Sequence, residues 1–340
     1  MADVVQTLAL IVLAQNYRGG LVRQANRQAV ALKCLPFVEG AGKNVAFAPT
    51  GTGAVAENFA EGADVANYGS DAQVSATIPW GMYRANFHVS GLAGATAASS
   101  SSPEGNLKLW AKNMQDSMST LASLINGAVY TGAGTGTTLA GLDQAIGSLV
   151  NTYATIDRTV GGNSYFLPNV FAPVGATALT FDLLRSDLAA IYVASGMRPD
   201  IAFVHPNVFR KIAALFDGLK QYQFQVITAR GPVNLDGSAG AINFDGCMFV
   251  EDKDATDGKI YYVNTGHVRM EYLPMDLATI PGMTDEIMDL FADDGFGTTP
   301  LGIRLEMLAK TGDSDKATMK TYLQLVCDRP NSCGVRSNIA

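Results

Sequence analysis

The 340-residue chain reads as an α+β fold, and three observations predict it. Leu107, Ala111, Met114, Met118, Leu121, Ile125 and Ala128 recur at spacings of 4, 3, 4, 3, 4 and 3, which is one unbroken helical stripe. Between roughly residues 175 and 295, strand-like and helix-like runs alternate, as they do where helices cover a sheet. Near the C-terminus, Met319, Thr321, Leu323 and Leu325 alternate with other side chains on a strand that follows another at residues 302–308, with a polar turn between them.

An apolar content of 48% is ample for a sizeable core. Twenty-four basic against 31 acidic residues give a net charge of −7, so the bulk attracts neither nucleic acid nor an anionic membrane. The longest early apolar run, residues 8–14, has no basic segment before it and is too short to span a bilayer. A soluble protein made in a cytoplasm is expected. Cys34, Cys247, Cys327 and Cys333 form no CxxC pair, and a chain of this length needs no disulfide staples, so they are expected to be buried thiols.

Taken in order, residues 1–45 are locally basic: Arg18, Arg23, Arg27, Lys33 and Lys43 face only Asp3 and Glu39. Residues 46–76 then carry Glu57, Glu61, Asp64 and Asp71 without one Lys or Arg. Alternating residues from 74 to 89, broken by Pro79 and Gly81, make 46–90 read as a long, irregular two-stranded excursion. It holds too few large apolar residues to bury itself, so it is expected to be disordered or to lie on another molecule.

An Ala/Ser-rich hinge at 93–102 leads to a helix start, with Ser102 as N-cap, Pro103 at the first position and Glu104 complementing the dipole. The stripe then carries the helix from 103 to about 128, and Gly132, Gly134 and Gly136 end it. Thr180 caps a second helix with Phe181, Leu184, Leu188, Ile191 and Tyr192 on one side and Gly196 past its end. A buried strand at 201–204, a helix at 207–216 after Pro206, and strands at 241–250 and 259–263 complete the lobe.

Chemical motifs are sparse. His88, His205 and His267 lack any zinc spacing, Ser195-Gly196 reads as a helix end and not a nucleophile elbow, and the Gly132 series breaks the phosphate-cradle pattern at Thr137. Neither Gly42-Lys43 nor Gly258-Lys259 sits in a P-loop. Asp252, Asp254, Asp257 and Gly258 distantly resemble a calcium loop, but the third acid is one residue late and Val263 stands where a glutamate is needed, so a solvated turn is expected. Met114, Met118, Trp80 and Trp110 read as core. No catalytic, cofactor-binding or metal residue is predicted, and a structural or binding protein is favoured over an enzyme.

The order of parts, together with local wording, resembles the major capsid protein of tailed double-stranded DNA bacteriophages, with the Hong Kong 97-like fold. The run Ala56-Glu57-Asn58-Phe59-Ala60-Glu61-Gly62 resembles that family's E-loop tip, and Ile156-Asp157-Arg158 the segment after its spine helix. Phe244-Asp245-Gly246 and Ile260-Tyr261-Tyr262-Val263-Asn264 resemble late A-domain strands, and residues 322–330 the closing P-domain strand.

The resemblance implies an N-arm at 1–45, an E-loop at 46–92, a P-domain at 93–175 with a spine helix at 103–128, an A-domain at 176–295, and C-terminal P-domain strands and tail at 296–340. It implies self-assembly as pentamers and hexamers into an icosahedral shell that encloses DNA without reading its sequence, in a virion assembled in the host cytoplasm. Expected partners are other copies of the chain, a portal, a possible decoration or cement protein, and a separate scaffolding protein, since the arm starts almost at Met1. No cofactor and no membrane are implied. Some relatives crosslink through an E-loop lysine; residues 46–76 have none, so a non-covalent shell is expected.

Within that reading, the arm cations Arg18, Arg23 and Arg27 are expected to attract the acids Glu57, Glu61, Asp64 and Asp71 of another subunit, which sets partner choice more than bulk affinity. Two other readings stay open: an encapsulin-type compartment enclosing cargo enzymes, and more remotely an α/β enzyme with an acidic lid at 46–76.

Overall fold

The computed structural model describes residues 29–49, 57–58, 60–62, 64, 74–93, 95, 104–147, 152–216, 225–228, 231–234, 241–274, 302–310 and 312–340. The chain begins with a short helix α1 (Val30–Cys34), β1 (Phe37–Glu39), β2 (Asn44–Phe47), β3 (Ala76–Pro79) and β4 (Gly81–Ser90). The long helix α2 (Glu104–Thr131), the short α3 (Leu142–Ala145), the small hairpin β5 (Thr152–Tyr153) and β6 (Ile156–Asp157), and β7 (Asn169–Phe171) follow. Next come α4 (Phe181–Ser195), β8 (Ile201–Val204), α5 (Pro206–Phe216), and the hairpins β9 (Gln225–Thr228) with β10 (Gly231–Asn234) and β11 (Ala241–Phe244) with β12 (Cys247–Glu251). The chain closes with β13 (Ile260–Val263), β14 (Val268–Tyr272), β15 (Arg304–Leu308), β16 (Ser314–Cys327) and β17 (Gly334–Arg336).

One sheet is organised on the 14-residue β16. Its residues 314–323 pair antiparallel with β4, while on its other edge β15 pairs with 316–320 and β14 with 323–327, and β1 adds in parallel to β14. Ala317, Met319, Leu323 and Leu325 of β16 and Phe87 and Val89 of β4 face inward. There they meet Leu121, Ala122, Ile125 and Val129 of α2 in one core, so the period of two and the helical stripe bury each other. The stripe's earlier side chains, Leu107, Ala111, Met114 and Met118, lie outside the described residues, as do the Trp110 side chain, Ser102, Pro103 and residues 8–14.

The second sheet has the order β11-β12-β8-β13-β17-β7. Ile201, Ala202, Phe203 and Val204 of β8 are all fully buried because both faces are covered. Ala202 and Val204 pack with Leu184, Leu188 and Ile191 of α4 and Val208 and Ile212 of α5, while Ile201 and Phe203 join the core under α2. The helix α4 starts and stops as its sequence predicts: Thr180 Oγ1 accepts from the Leu183 N–H at 3.2 Å, and Gly196 takes the left-handed conformation at φ 72°. The β11–β12 turn has φ of 51° at Asp245 and 85° at Gly246, the conformation for which Asp-Gly is suited.

Three sequence expectations need correction. The excursion read as 46–90 keeps only β2 and β3 as a two-stranded base; the stretch 81–90 is a strand of the main sheet, paired along its whole length with β16. Pro79 and Gly81 mark that change of partner. Within the stretch read as one lobe, β14 belongs to the other sheet, and at the C-terminus β17 leaves β16's sheet to pair with β13 and β7 in the lobe. Neither exchange leaves a local signal, because each depends on a partner far away in sequence. Finally, the turn at 252–257 is solvated only in part: Lys253 and Asp257 are exposed, whereas its first carboxylate, Asp252, is fully buried.

Candidate assembly surfaces

The acidic excursion rises from a packed base. Val45 of β2, Trp80 and Val326 of β16 form a small buried cluster, with Phe47 and Tyr322 against it, and the Trp80 indole N–H donates to the Gly42 carbonyl at 3.1 Å. From this footing the chain leaves at Phe47 and returns at Ala76. Glu57, Glu61 and Asp64 are described and exposed; Asp71, Arg18, Arg23 and Arg27 lie outside the described residues, so the pairing of arm with loop is not visible here.

The segment from Ala29 to Glu39 is held by the rest of the subunit: α1 packs into the main core, β1 pairs with β14, and a buried carboxylate binds the backbone of α1. Asp252, just past β12, accepts from the backbone N–H of Ala31 in α1 at 3.1 Å and from the Tyr130 hydroxyl of α2 at 2.7 Å. Asn126 of α2 donates its amide to both Asp252 oxygens, at 3.1 and 3.0 Å, and to Asp254 at 2.7 Å, and the Asp254 N–H closes the set at 3.0 Å. One carboxylate therefore ties the arm helix, the long helix and the lobe. Burial raises its pKa above the usual carboxylate range, outweighing the hydrogen bonds from the Asp254 N–H, the Tyr130 hydroxyl and the Asn126 amide, which pull it down.

A second buried charge joins the lobe's parts. The Arg336 guanidinium of β17 pairs in a two-bond fork with Asp187 of α4, which also accepts from the Tyr262 hydroxyl at 3.2 Å. Asp187 is 1% and Arg336 7% exposed. The Asp187 bonds hold the Arg336 pKa above its ordinary value.

The histidines have structural surroundings: His205 Nδ1 lies 3.3 Å from Asp257, His267 Nδ1 lies 2.8 Å from Asp328, and His88 stands on the exposed side of β4. Cys34, Cys247, Cys327 and Cys333 are free and buried, as expected. Burial pushes the Cys34 thiol up to about 12 and the Cys247 thiol well above its ordinary value. Among the described residues, no three His, Cys, Asp or Glu side chains converge as a metal site, and no helix is long and apolar enough to cross a membrane.

The sheet face turned away from α2 was not singled out from the sequence. Cross-strand partners in an antiparallel pair point to the same side. The register places Arg84 opposite Lys320 and Lys320 opposite Arg304, one row of cations across three strands, and places His88 opposite Lys316 in another row. Glu306 lies beside them and pairs with both Lys320 and Arg304, and the Lys320 bond lowers its pKa. Arg84 has no ion-pair partner among the described residues. The polar side of β4 could have been read from Arg84, Asn86 and His88, but its neighbours could not.

A hairpin-borne acidic excursion, a long helix laid on a sheet built around one strand, and a mixed-sheet lobe covered by two helices together define the Hong Kong 97-like class of shell-building folds. Solved structures agree at the level of fold. The Cyanophage A-1(L) capsid asymmetric unit is 18% identical, with 91% of this chain and 92% of that one covered at a TM-score of 0.68. The capsid of Myoviridae phage XM1 is 10% identical with 92% of each chain covered and a TM-score of 0.52. The SrpI encapsulin of Synechococcus elongatus PCC 7942 is 10% identical, covering 92% of this chain and 87% of that one at 0.56. No curated protein sequence matches. The family is decided by sequence: residues 44–340 match the SU10 major capsid protein family, and the chain belongs to it. It is a phage major capsid protein, and the encapsulin reading falls away in favour of that family.

Proposed function

We propose that the chain assembles as pentamers and hexamers into a closed icosahedral shell around a double-stranded DNA genome, acting as wall and not as catalyst. The observation that carries this is the match of residues 44–340 to a major-capsid family. In this reading 1–45 is the N-arm, 46–92 the E-loop, 93–175 the P-domain, 176–295 the A-domain and 296–340 the closing P-domain strands and tail. The exchange of β14 and β17 between sheets makes the last two boundaries interleaved in space. Resemblance to the tailed-phage family adds a scaffolding protein, a portal and a decoration protein as partners, and assembly in the host cytoplasm.

Extended segments suit a shell, because many moderate contacts let geometry correct itself during growth while their number holds the closed lattice. The acidic excursion seeks a basic surface on another copy, with Arg18, Arg23 and Arg27 of the arm as one such surface. Reversing Arg23 and Arg27 to Glu is expected to lower the yield of sedimenting particles most strongly in low salt, where the Debye length exceeds ~10 Å; undiminished yield there removes the arm from this role. Because residues 46–76 contain no lysine, purified particles boiled in denaturant are expected to run as a single monomer band on electrophoresis. A covalent ladder contradicts the non-covalent shell.

A further inference from the structure

We propose that Cys327 and Cys333 form a dithiol that hydrogen peroxide closes to a disulfide, and that this bond stiffens the junction between the two sheets. The proposal rests on the shell reading above only for its timing: thiols stay reduced in a cytoplasm and meet oxidising surroundings once a particle is released.

Two links carry the chain between the sheets at this point. Residues 264–267 run from β13 of the lobe to β14 of the main sheet, and residues 328–333 run from the end of β16 to β17. The links are fastened to each other. The Asp328 N–H donates to the His267 carbonyl at 3.1 Å, the Asp328 carboxylate meets His267 Nδ1 at 2.8 Å, and the Asn264 N–H donates to Cys333 Sγ at 3.4 Å. A 3-10 turn, Pro330–Ser332, folds the second link back so that Cys327 and Cys333 enter the same core, both 0% exposed. There the Cys327 thiol donates to the Cys333 sulfur.

The surroundings divide the roles between the two sulfurs. The bonds from the Cys327 thiol and the Asn264 N–H, with Ser332 Oγ at 3.7 Å, hold the Cys333 thiol below its ordinary pKa, while burial pushes Cys327 well above its own. Cys333 is therefore the thiolate that attacks. Its sulfur takes one oxygen from peroxide as the O–O bond breaks and hydroxide leaves, which gives a sulfenic acid. The Cys327 sulfur then displaces that hydroxyl and the S–S bond forms. In sum the two thiols lose two electrons and two protons, and one peroxide becomes two waters. Peroxide is small enough to enter where the fold opens locally. The bond closes a ring of seven residues, 327–333, around the turn of the link, and it removes freedom from the unfolded chain.

Peptide mapping with a redox melting cycle tests this. Trypsin does not cut between Arg329 and Pro330, so both cysteines fall in one peptide, 321–336. Wild-type protein purified in reductant, treated with peroxide, then unfolded and alkylated with iodoacetamide is expected to give that peptide unalkylated and two hydrogens lighter. Without peroxide it is expected doubly alkylated. Cleavage before Asp328 should split the oxidised peptide into halves that separate only on reduction. Dithiothreitol is expected to lower the melting temperature of the peroxide-treated protein by about 4 °C. Cys327→Ser and Cys333→Ser are expected to abolish that response and Cys34→Ser to keep it; the cycle on the wild type carries the test where a serine variant fails to fold. Double alkylation after peroxide, a sulfinic acid at Cys333 in place of the disulfide, or a disulfide without a change in melting overturns the proposal. The same map on unassembled subunits separates it from the shell reading: a disulfide in a chain that never forms particles leaves the lock standing and refutes the shell.

Discussion

Replacing Asp252 with alanine is expected to destabilise the subunit by about 3 kcal/mol or more. The alanine leaves the Ala31 N–H, the Tyr130 hydroxyl, the Asn126 amide and the Asp254 N–H facing a buried site without their acceptor. An unsatisfied buried donor costs about 1–3 kcal/mol, and relief from burying a charge offsets part of the total. Asp252→Asn keeps one acceptor and is expected to cost less. Urea unfolding of unassembled subunits gives the free energies, and trypsin cleavage after Lys33 should quicken in the alanine variant because α1 loses its tie. The pH dependence has a definite sign. The folded pKa of Asp252 is raised by burial, so the stabilising contribution of its protonation is fully present below about pH 4 and is lost as pH rises through the folded value. Over that window the wild type should lose stability relative to Asp252→Ala, and an identical slope in the two proteins contradicts the assignment.

The second large effect is expected at Asp187 and Arg336. Removing either partner alone, as Asp187→Ala or Arg336→Ala, leaves a buried charge without its counter-ion and is expected to cost about 3–5 kcal/mol. The double replacement Asp187→Ala with Arg336→Ala removes both charges and is expected to cost less than the sum of the two single losses, with a coupling of several kcal/mol in a double-mutant cycle. Additive losses in urea unfolding would show that the pair does not join α4 to β17 energetically. Since β17 closes the lobe sheet from the far end of the chain, this pair decides whether the C-terminal residues hold the lobe together.

Much of this architecture is legible in sequence where the signal is local. The 4-3 stripe that makes α2, the Thr180 cap and Gly196 stop of α4, the continuous apolar run of β8 and the Asp-Gly turn of β11–β12 each follow from neighbouring residues alone. What stayed hidden depends on distance along the chain. Asp252 reads as part of a polar turn because its partners Ala31 and Asn126 lie 221 and 126 residues away. The strand β4 reads as the return limb of an excursion, since its alternation cannot say whether it pairs with β2 or with β16. For the same reason the cation row of Arg84, Lys320 and Arg304 exists only once a register is fixed, and a register is a property of strand pairs. Of the site residues singled out from sequence, Glu57, Glu61 and Asp64 are seen to be exposed, which is the condition for meeting another molecule.

The central claim is that this chain builds a shell by meeting copies of itself. Electron microscopy of the purified protein, with sedimentation of the same sample, tests it most directly. Closed particles of uniform diameter, resolving into pentameric and hexameric units, are the predicted result. A protein that remains monomeric by sedimentation in every condition of salt, concentration and crowding, with empty grids, would contradict it.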